Sequence, residues 1–187
     1  GESERIKPYI PDGIYEDMLG VLGSTAPITL QSLSREAVYA LRRMSKEQLK
    51  SLPDVTEGLE NLLYSACRKY ADIGSVLTAV KSRRYTMARL KRICMCALLS
   101  IYGSPIKKLD SLFIRVLGIR REAQSLLSAL HEKSELPVVT RYGDVSKLNE
   151  RQSELMALEV RCADIAALGR PSPSPVKSDF SYPLIIV

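Results

Sequence analysis

The chain is poor in histidine and cysteine, the side chains that disulfide, zinc and imidazole chemistry need. It has one histidine and four cysteines in 187 residues. Cys67, Cys94, Cys96 and Cys162 form no C-x-x-C pair. Cys94 and Cys96, two apart, point to different faces of a helix, which argues against a shared zinc ion. All four read instead as small buried hydrophobes. His131 has no serine or cysteine marked as its partner, so a nucleophile–base pair is not legible. Beside Glu132 at a helix end it reads as a cation near the C-terminal dipole. The chain contains no G-x-G-x-x-G, no P-loop and no H-E-x-x-H, and no metal site is expected. No apolar run approaches the roughly 18 residues that span a bilayer. The opening Gly1-Glu2-Ser3-Glu4-Arg5 is polar, so no secretory signal is expected. Thiols without a disulfide framework, and no signal, point to a reducing cytoplasm. Gly1 in place of an initiator methionine leads to the expectation that this is an excised piece of a longer protein.

What the chain does have is an ordinary core-forming composition with a concentrated positive charge. Apolar residues make up 45% and charged residues 26%, as in globular domains. The formal charge is +6, yet six cations and no acid fall within the twelve residues Lys81 to Arg92. So dense a basic segment makes an electrostatic footprint for a polyanion, most often a nucleic-acid backbone. The competing reading is a solvated face, or arginines neutralised within the fold by Glu57, Glu60 or Asp72.

Apolar spacing and breakers predict a string of helices. The first spans Asp12 to Leu22. A second, capped by Ser32 or Ser34, runs to Met44. Ser45 with Gln48 opens a short helix that stops before Pro53. Asp54 with Glu57 repeats the capping pattern ahead of Leu59, Leu62, Leu63, Ala66, Cys67 and Tyr70. Asp72 starts the next helix and Thr86 the one after it, with Leu90, Ile93, Cys94, Ala97, Leu98 and Ile101 facing inward and Gly103-Ser104-Pro105 ending it. A last long helix is predicted from Val145 to Leu168, closed by Gly169 and the extended linker Pro171-Ser172-Pro173-Ser174-Pro175. Leu112 to Gly118 reads either as a short helix capped by Asp110 or as a buried strand. Leu136-Pro137-Val138-Val139-Thr140 is β-branched and too short for a helix. With a helix from Arg120 to Glu132 between them, a strand–helix–strand unit is expected. The predicted class is therefore mostly α: a multi-helix domain with a small two-stranded βαβ-like element near 112–140 and a C-terminal extended segment. The apolar end Pro183-Leu184-Ile185-Ile186-Val187 reads as a strand or a plug.

With Thr86 as N-cap, Arg89 and Arg92 lie three apart on one helix face, away from Leu90 and Cys94. Arg83, Arg84 and Tyr85 then occupy the preceding loop, beside an N-terminus whose free N–H groups and dipole favour phosphate. Tyr85 either stacks on a base or packs under the loop. Glu57-Gly58-Leu59-Glu60-Asn61 is a polar constellation at a helix start, which capping alone explains.

Three ordered blocks resemble one bacterial family. Pro53-Asp54-Val55-Thr56-Glu57-Gly58-Leu59-Glu60-Asn61 resembles its signature helix start. Lys81 to Arg92, with Arg83-Arg84-Tyr85-Thr86, Arg89-Leu90 and Arg92 at its heart, resembles its basic motif. Leu112 to Gly118 followed by Leu136 to Arg141 resembles its third block. The family is the bacterial tRNA(Met) cytidine acetate ligases, earlier described as predicted nucleotidyltransferases. The resemblance implies a parent enzyme that uses ATP to activate acetate as acetyl-adenylate and passes the acetyl group to the wobble cytidine of elongator tRNA(Met). An N-terminal nucleotidyltransferase domain with an H-x-G-H motif would do that chemistry. A single histidine cannot supply H-x-G-H, so the resemblance extends to the C-terminal, tRNA-holding part, with no catalytic residue and no cofactor of its own. On this reading 1–52 is a helical segment linking to the nucleotidyltransferase domain, 53–170 a helical tRNA-binding domain, and 171–187 a linker with an apolar tail. Lys81, Arg83, Arg84, Tyr85, Arg89 and Arg92 are the implied RNA-binding residues, reaching tRNA or ATP phosphates. Glu57, Gly58, Asn61 and Thr86 support them. The implied partners are tRNA and the nucleotidyltransferase domain, in the cytoplasm and away from membranes. The alternative is a helical domain that docks on the nucleotidyltransferase domain without major tRNA contacts.

Overall fold

Leu41, Leu49, Leu59, Leu63, Ile73, Leu90 and Ile93 are shut off from solvent, and five helices are arranged around them. The structure, a computed structural model, describes residues 2–11, 13–24, 27–103, 112–170 and 184–187. Its helices are α1 (Glu2–Ile6), α2 (Ile14–Ser24), α3 (Ser34–Arg43), α4 (Lys46–Lys50), α5 (Leu59–Lys69), α6 (Ile73–Val80), α7 (Met87–Leu99), α8 (Gln124–Lys133) and α9 (Glu150–Leu168). The core draws on α3 to α7, so helices on both sides of residue 52 share it. Truncating one of its buried leucines to alanine costs about 2–5 kcal/mol.

Caps set most of these boundaries. Ser45 and Gln48 form the reciprocal box that opens α4. Asp72 accepts from the Ser75 amide at 2.8 Å and starts α6. Thr86 accepts from the Arg89 amide at 3.4 Å and starts α7. Three expected starts are corrected. The Asp54–Glu57 box does not form, because both residues adopt left-handed backbone, at φ 66° and 61°, and α5 begins after Gly58 at φ 84°. Neither Ser32 nor Ser34 caps α3: Ser32 exchanges hydrogen bonds with Thr29, and the Ser34 hydroxyl accepts from the Ile73 amide at 2.9 Å, tying α3 to α6. The long last helix starts five residues later than expected. A 3-10 turn takes Tyr142–Lys147, and Asn149 with Gln152 makes the capping box of α9. The first predicted helix is found at Ile14–Ser24; Asp12, Ser104, Pro105, Asp110 and the Pro171–Pro175 linker lie outside the described residues.

The ambiguous stretches are strands. β1 (Ile114–Arg115) pairs in parallel with β3 (Val138–Val139), and the chain between them passes through α8, which makes the expected strand–helix–strand unit. β2 (Gly118–Ile119) pairs in parallel with β4 (Ile185–Ile186), so the apolar end returns as a strand. Val138 and Val139 are buried, which a β-branched pair tolerates well in a short strand. α9 binds this layer to the helical core. Gln152 Nε2 donates to the Leu112 carbonyl at 2.9 Å, Arg115 pairs with Glu159 at 2.9 Å, and Arg161 donates to the Leu99 carbonyl at 2.9 Å. At its end a Cβ on Gly169 would come within 2.8 Å of Ile28 Cγ2, so any larger residue there would force the Ile28 side chain to move. Of the four thiols, Cys67 and Cys94 are buried as expected, Cys96 is half-buried, and Cys162 is exposed on α9, which corrects its reading as core. Among the described residues no helix is long and apolar enough to cross a membrane.

Candidate nucleic-acid interface

The basic segment is a tight loop, Lys81 to Thr86, feeding the N-terminus of α7. The loop closes on itself: the Ser82 amide donates to the Tyr85 carbonyl, and the Tyr85 amide to the Ser82 hydroxyl, both at 3.2 Å. Tyr85 is drawn inward and left only 5% exposed, and its hydroxyl donates to the Glu57 carbonyl at 3.0 Å. Of the two roles open to this ring, packing under the loop is the one found. Because Leu90, Ile93, Cys94 and Ala97 face the core, the opposite side of α7 carries Arg89 and Arg92 outward, on one face as the spacing predicts.

These arginines are engaged. Arg89 donates to the Asp54 carbonyl through Nε at 2.9 Å and Nη2 at 2.7 Å, and also to Thr56 Oγ1 at 2.7 Å. Arg92 grips the Asp54 carboxylate through Nε at 3.0 Å and Nη2 at 2.8 Å. Arg84 forms an ion pair with Glu57 at the surface. The Tyr85 ring lies beneath two of them, 5.4 Å from the Arg89 guanidinium and 5.9 Å from that of Arg84. Thus α7 and the 54–58 turn form one brace, in which Asp54 supplies both its carbonyl and its carboxylate. Neutralisation within the fold does occur, through Asp54 and Glu57 rather than Glu60 or Asp72. Asp72 caps α6, and its hydrogen bonds from Ser75 lower its carboxyl below the usual range. Asn61 donates to Glu60 at 3.2 Å and does not reach an arginine, whereas Glu57 does.

Lys81, Arg83 and Lys91 remain. All three are exposed, and among the described residues none has a carboxylate partner. Lys81 and Arg83 precede the capped N-terminus of α7, where amide donors and the helix dipole add positive potential, and Lys91 lies in its second turn. Exposed Arg84 and Arg92 carry one carboxylate each, so the surface stays net positive around the three unpaired cations. Such an arrangement can hold phosphates by charge and by the bidentate fork of Arg83. The reading from sequence missed two participants. Asp54 looked like a cap, and only its left-handed backbone reveals it as the anchor of Arg89 and Arg92. Lys91 lies inside the basic run and could have been found by asking which of its cations the i, i+3 pair Arg89/Arg92 leaves out. Among the described residues no group of three or more His, Cys, Asp and Glu side chains is placed to hold a metal ion, and His131 lies in the last turn of α8.

Comparison with known proteins adds a lineage to this geometry. The tRNA(Met) cytidine acetate ligase of Thermoanaerobacter sp. (strain X514) is 33% identical over 186 residues, covering 97% of this chain and 45% of the relative. The ligase of that name from Kosmotoga olearia is 31% identical over 144 residues, covering 75% of the chain and 34% of the relative. The chain thus spans less than half the length of these curated relatives. The crystal structure of Thermotoga maritima TmcAL bound with alpha-thio ATP superimposes with a TM-score of 0.85 at 20% identity, over 100% of this chain and 49% of that one, which shows the shared fold. The apo form of the same protein gives 0.83 at 18% identity. The family described as HIGH Nucleotidyl Transferase matches residues 1–179, nearly the whole chain. The chain therefore belongs to the HIGH nucleotidyl transferase family.

Proposed function

We propose that this chain is the tRNA-holding, C-terminal portion of an ATP-dependent ligase that acetylates the wobble cytidine of elongator tRNA(Met), and that the Lys81–Arg92 surface grips the RNA backbone. The relatives bear the name tRNA(Met) cytidine acetate ligase, which supports the reaction class for the whole protein. ATP and acetate belong to that whole protein. Within this chain the contribution is affinity and placement. The observation that carries the reading is the set of cations without a carboxylate partner among the described residues, Lys81 and Arg83 on a loop that Tyr85 and Arg89 fix from beneath and Lys91 on α7 behind it. A rigid array loses little side-chain and loop freedom on binding.

A second reading draws on the brace itself. Arg84, Arg89 and Arg92 are turned to Glu57, Asp54 and Thr56, so the motif serves as a strut whose face docks on a nucleotidyltransferase domain. Gel-shift titration of this chain with tRNA(Met) over a range of salt separates the two. On the first reading affinity falls steeply with salt, and Lys81→Ala, Arg83→Ala and Lys91→Ala together flatten the slope by about 0.7–0.9 for each phosphate no longer neutralised. Arg89→Glu weakens binding as well, by upsetting the loop. A chain that shows no tRNA binding but binds the separately expressed nucleotidyltransferase domain establishes the second reading.

A further inference from the structure

The C-terminal end of α7 borders a cleft of about 500 Å³ between α3 and α9. Its features differ from those of the basic loop. Arg35, Tyr39 and Arg43 recur every four residues along one face of α3 and all line it. Tyr102 contributes a second ring, and both tyrosines are exposed, at 62% and 50%. The floor is apolar, with Ala97, Leu98 and Ile165. The guanidinium of Arg43 sits 5.5 Å from the Tyr39 ring centroid. Among the described residues neither Arg35 nor Arg43 has a carboxylate partner, whereas their neighbour Arg42 is consumed by the Cys67 and Tyr70 carbonyls at 2.6 and 3.0 Å.

We propose that this cleft is a nucleotide-binding site that takes one unstacked nucleotide, its base against Tyr39 and Tyr102 and its phosphate on Arg43, whose guanidinium lies nearest the Tyr39 ring. Each part of that ligand has a counterpart. Aromatic rings that keep a free face bind bases of any identity by stacking. A guanidinium group without a carboxylate partner is the usual phosphate fork. The volume lies within the range that encloses a small ligand. Glu36 and Gln48 also line the cleft. The Gln48 side-chain oxygen is spent on the Ser45 cap at 2.9 Å, which leaves its amide hydrogens to donate, while Glu36 can accept from an exocyclic amine. From Arg89 to Leu98 is nine residues of α7, about 14 Å along the axis, so cleft and basic loop are separate sites on one helix. The proposal does not rest on the loop's role.

Photocrosslinking tests it, with 4-thiouridine 5′-monophosphate and a single-stranded hexanucleotide carrying one 4-thiouridine as probes. The expected result is labelling on the α3 peptide or on the peptide containing Tyr102. Tyr39→Ala and Arg43→Glu should each reduce that labelling about tenfold or more. Both side chains are exposed, so circular dichroism should remain native. Saturation by the mononucleotide at the lower concentration assigns the site to a free nucleotide, and saturation by the hexamer assigns it to RNA. Labelling of the cleft should persist in a Lys81→Ala, Arg83→Ala background, which keeps it distinct from the loop. Labelling confined to the Lys81–Arg92 peptide, unaltered by Tyr39→Ala, or absent with both probes, overturns the proposal.

Discussion

Arg89 donates through both Nε and Nη2 to the carbonyl oxygen of Asp54, at 2.9 and 2.7 Å, while Arg92 takes the same residue's carboxylate. One acid thus orders two arginines, and it can do so because its backbone is left-handed at φ 66°. The first expectation separates bracing from binding within the basic run. Arg89→Ala should lower stability by about 1–2 kcal/mol, since a charged donor to two partners is lost. Arg83→Ala should leave the melting temperature within a degree or so and reduce RNA affinity. Thermal denaturation of the two variants side by side reads the difference. A melting temperature for Arg89→Ala equal to that of the parent chain would show that the brace contributes nothing.

The basic motif was legible as charge, and its helix register followed from Thr86 and the apolar stripe of α7. What could not be read was the destination of each arginine. Asp54 and Glu57 carry two signatures at once, of capping residues and of ion-pair partners, and only the turn geometry selects between them. The same holds for Ser34, whose hydroxyl is used across the fold by Ile73, thirty-nine residues away. Local patterns report which side chains could satisfy nearby amides. Long-range packing decides which of them do. Strand pairing shows the same division: Val138-Val139 announced itself by β-branching, while the parallel partner of Gly118-Ile119 lies at the far end of the chain in Ile185-Ile186.

Gly58 is the hinge of the 54–58 turn, and its φ of 84° places it where an L-residue is strained. A Cβ there would meet nothing within 4 Å, so the whole penalty of Gly58→Ala is in the backbone. The expected loss is about 1–2 kcal/mol. Asn tolerates left-handed backbone better, so Gly58→Asn should recover part of that loss. Urea denaturation of both variants checks it, and equal stability of Gly58→Ala and the parent chain would contradict the assignment.

Asp144 is 4% exposed and caps the turn that leads into α9. Burial alone would raise its carboxyl, but hydrogen bonds from Lys147 and from the amide and hydroxyl of Thr140 outweigh it, and the group is held well below the ordinary carboxylate range. The unfolded chain therefore binds this proton more readily than the folded one. The stabilisation is complete above the unfolded value of about 3.9 and is lost as pH falls toward the lower folded value. Asp144→Asn should cost about 2 kcal/mol at pH 7, and the gap to the parent chain should shrink steadily below about pH 4. Urea midpoints at pH 7, 5 and 3 test this; a constant difference across that range would refute it.

The four free thiols should differ sharply in reactivity. Burial pushes the Cys94 thiol up to about 12, with Cys67 and Cys96 adding to the effect. Cys67 is likewise raised by burial, although Arg68 and Arg42 pull it back. At pH 8 both should resist a disulfide reagent, because neither sulfur is exposed and little thiolate forms. Cys96 is half-buried and is raised by burial and by the nearby Asp54 charge, so it should react slowly. Cys162 is raised by burial and by Glu159, yet it stands exposed on α9 and should react first. The native chain should show one fast equivalent and the denatured chain four, counted by release of the chromophore. Because Cys96 shares the Asp54 neighbourhood, Asp54→Ala should speed its reaction by two routes, through a lower thiol pKa and a loosened brace, while Cys162 reacts at an unchanged rate. Acceleration at Cys162 equal to that at Cys96 would mean that the substitution loosens the whole fold rather than the 54–58 turn.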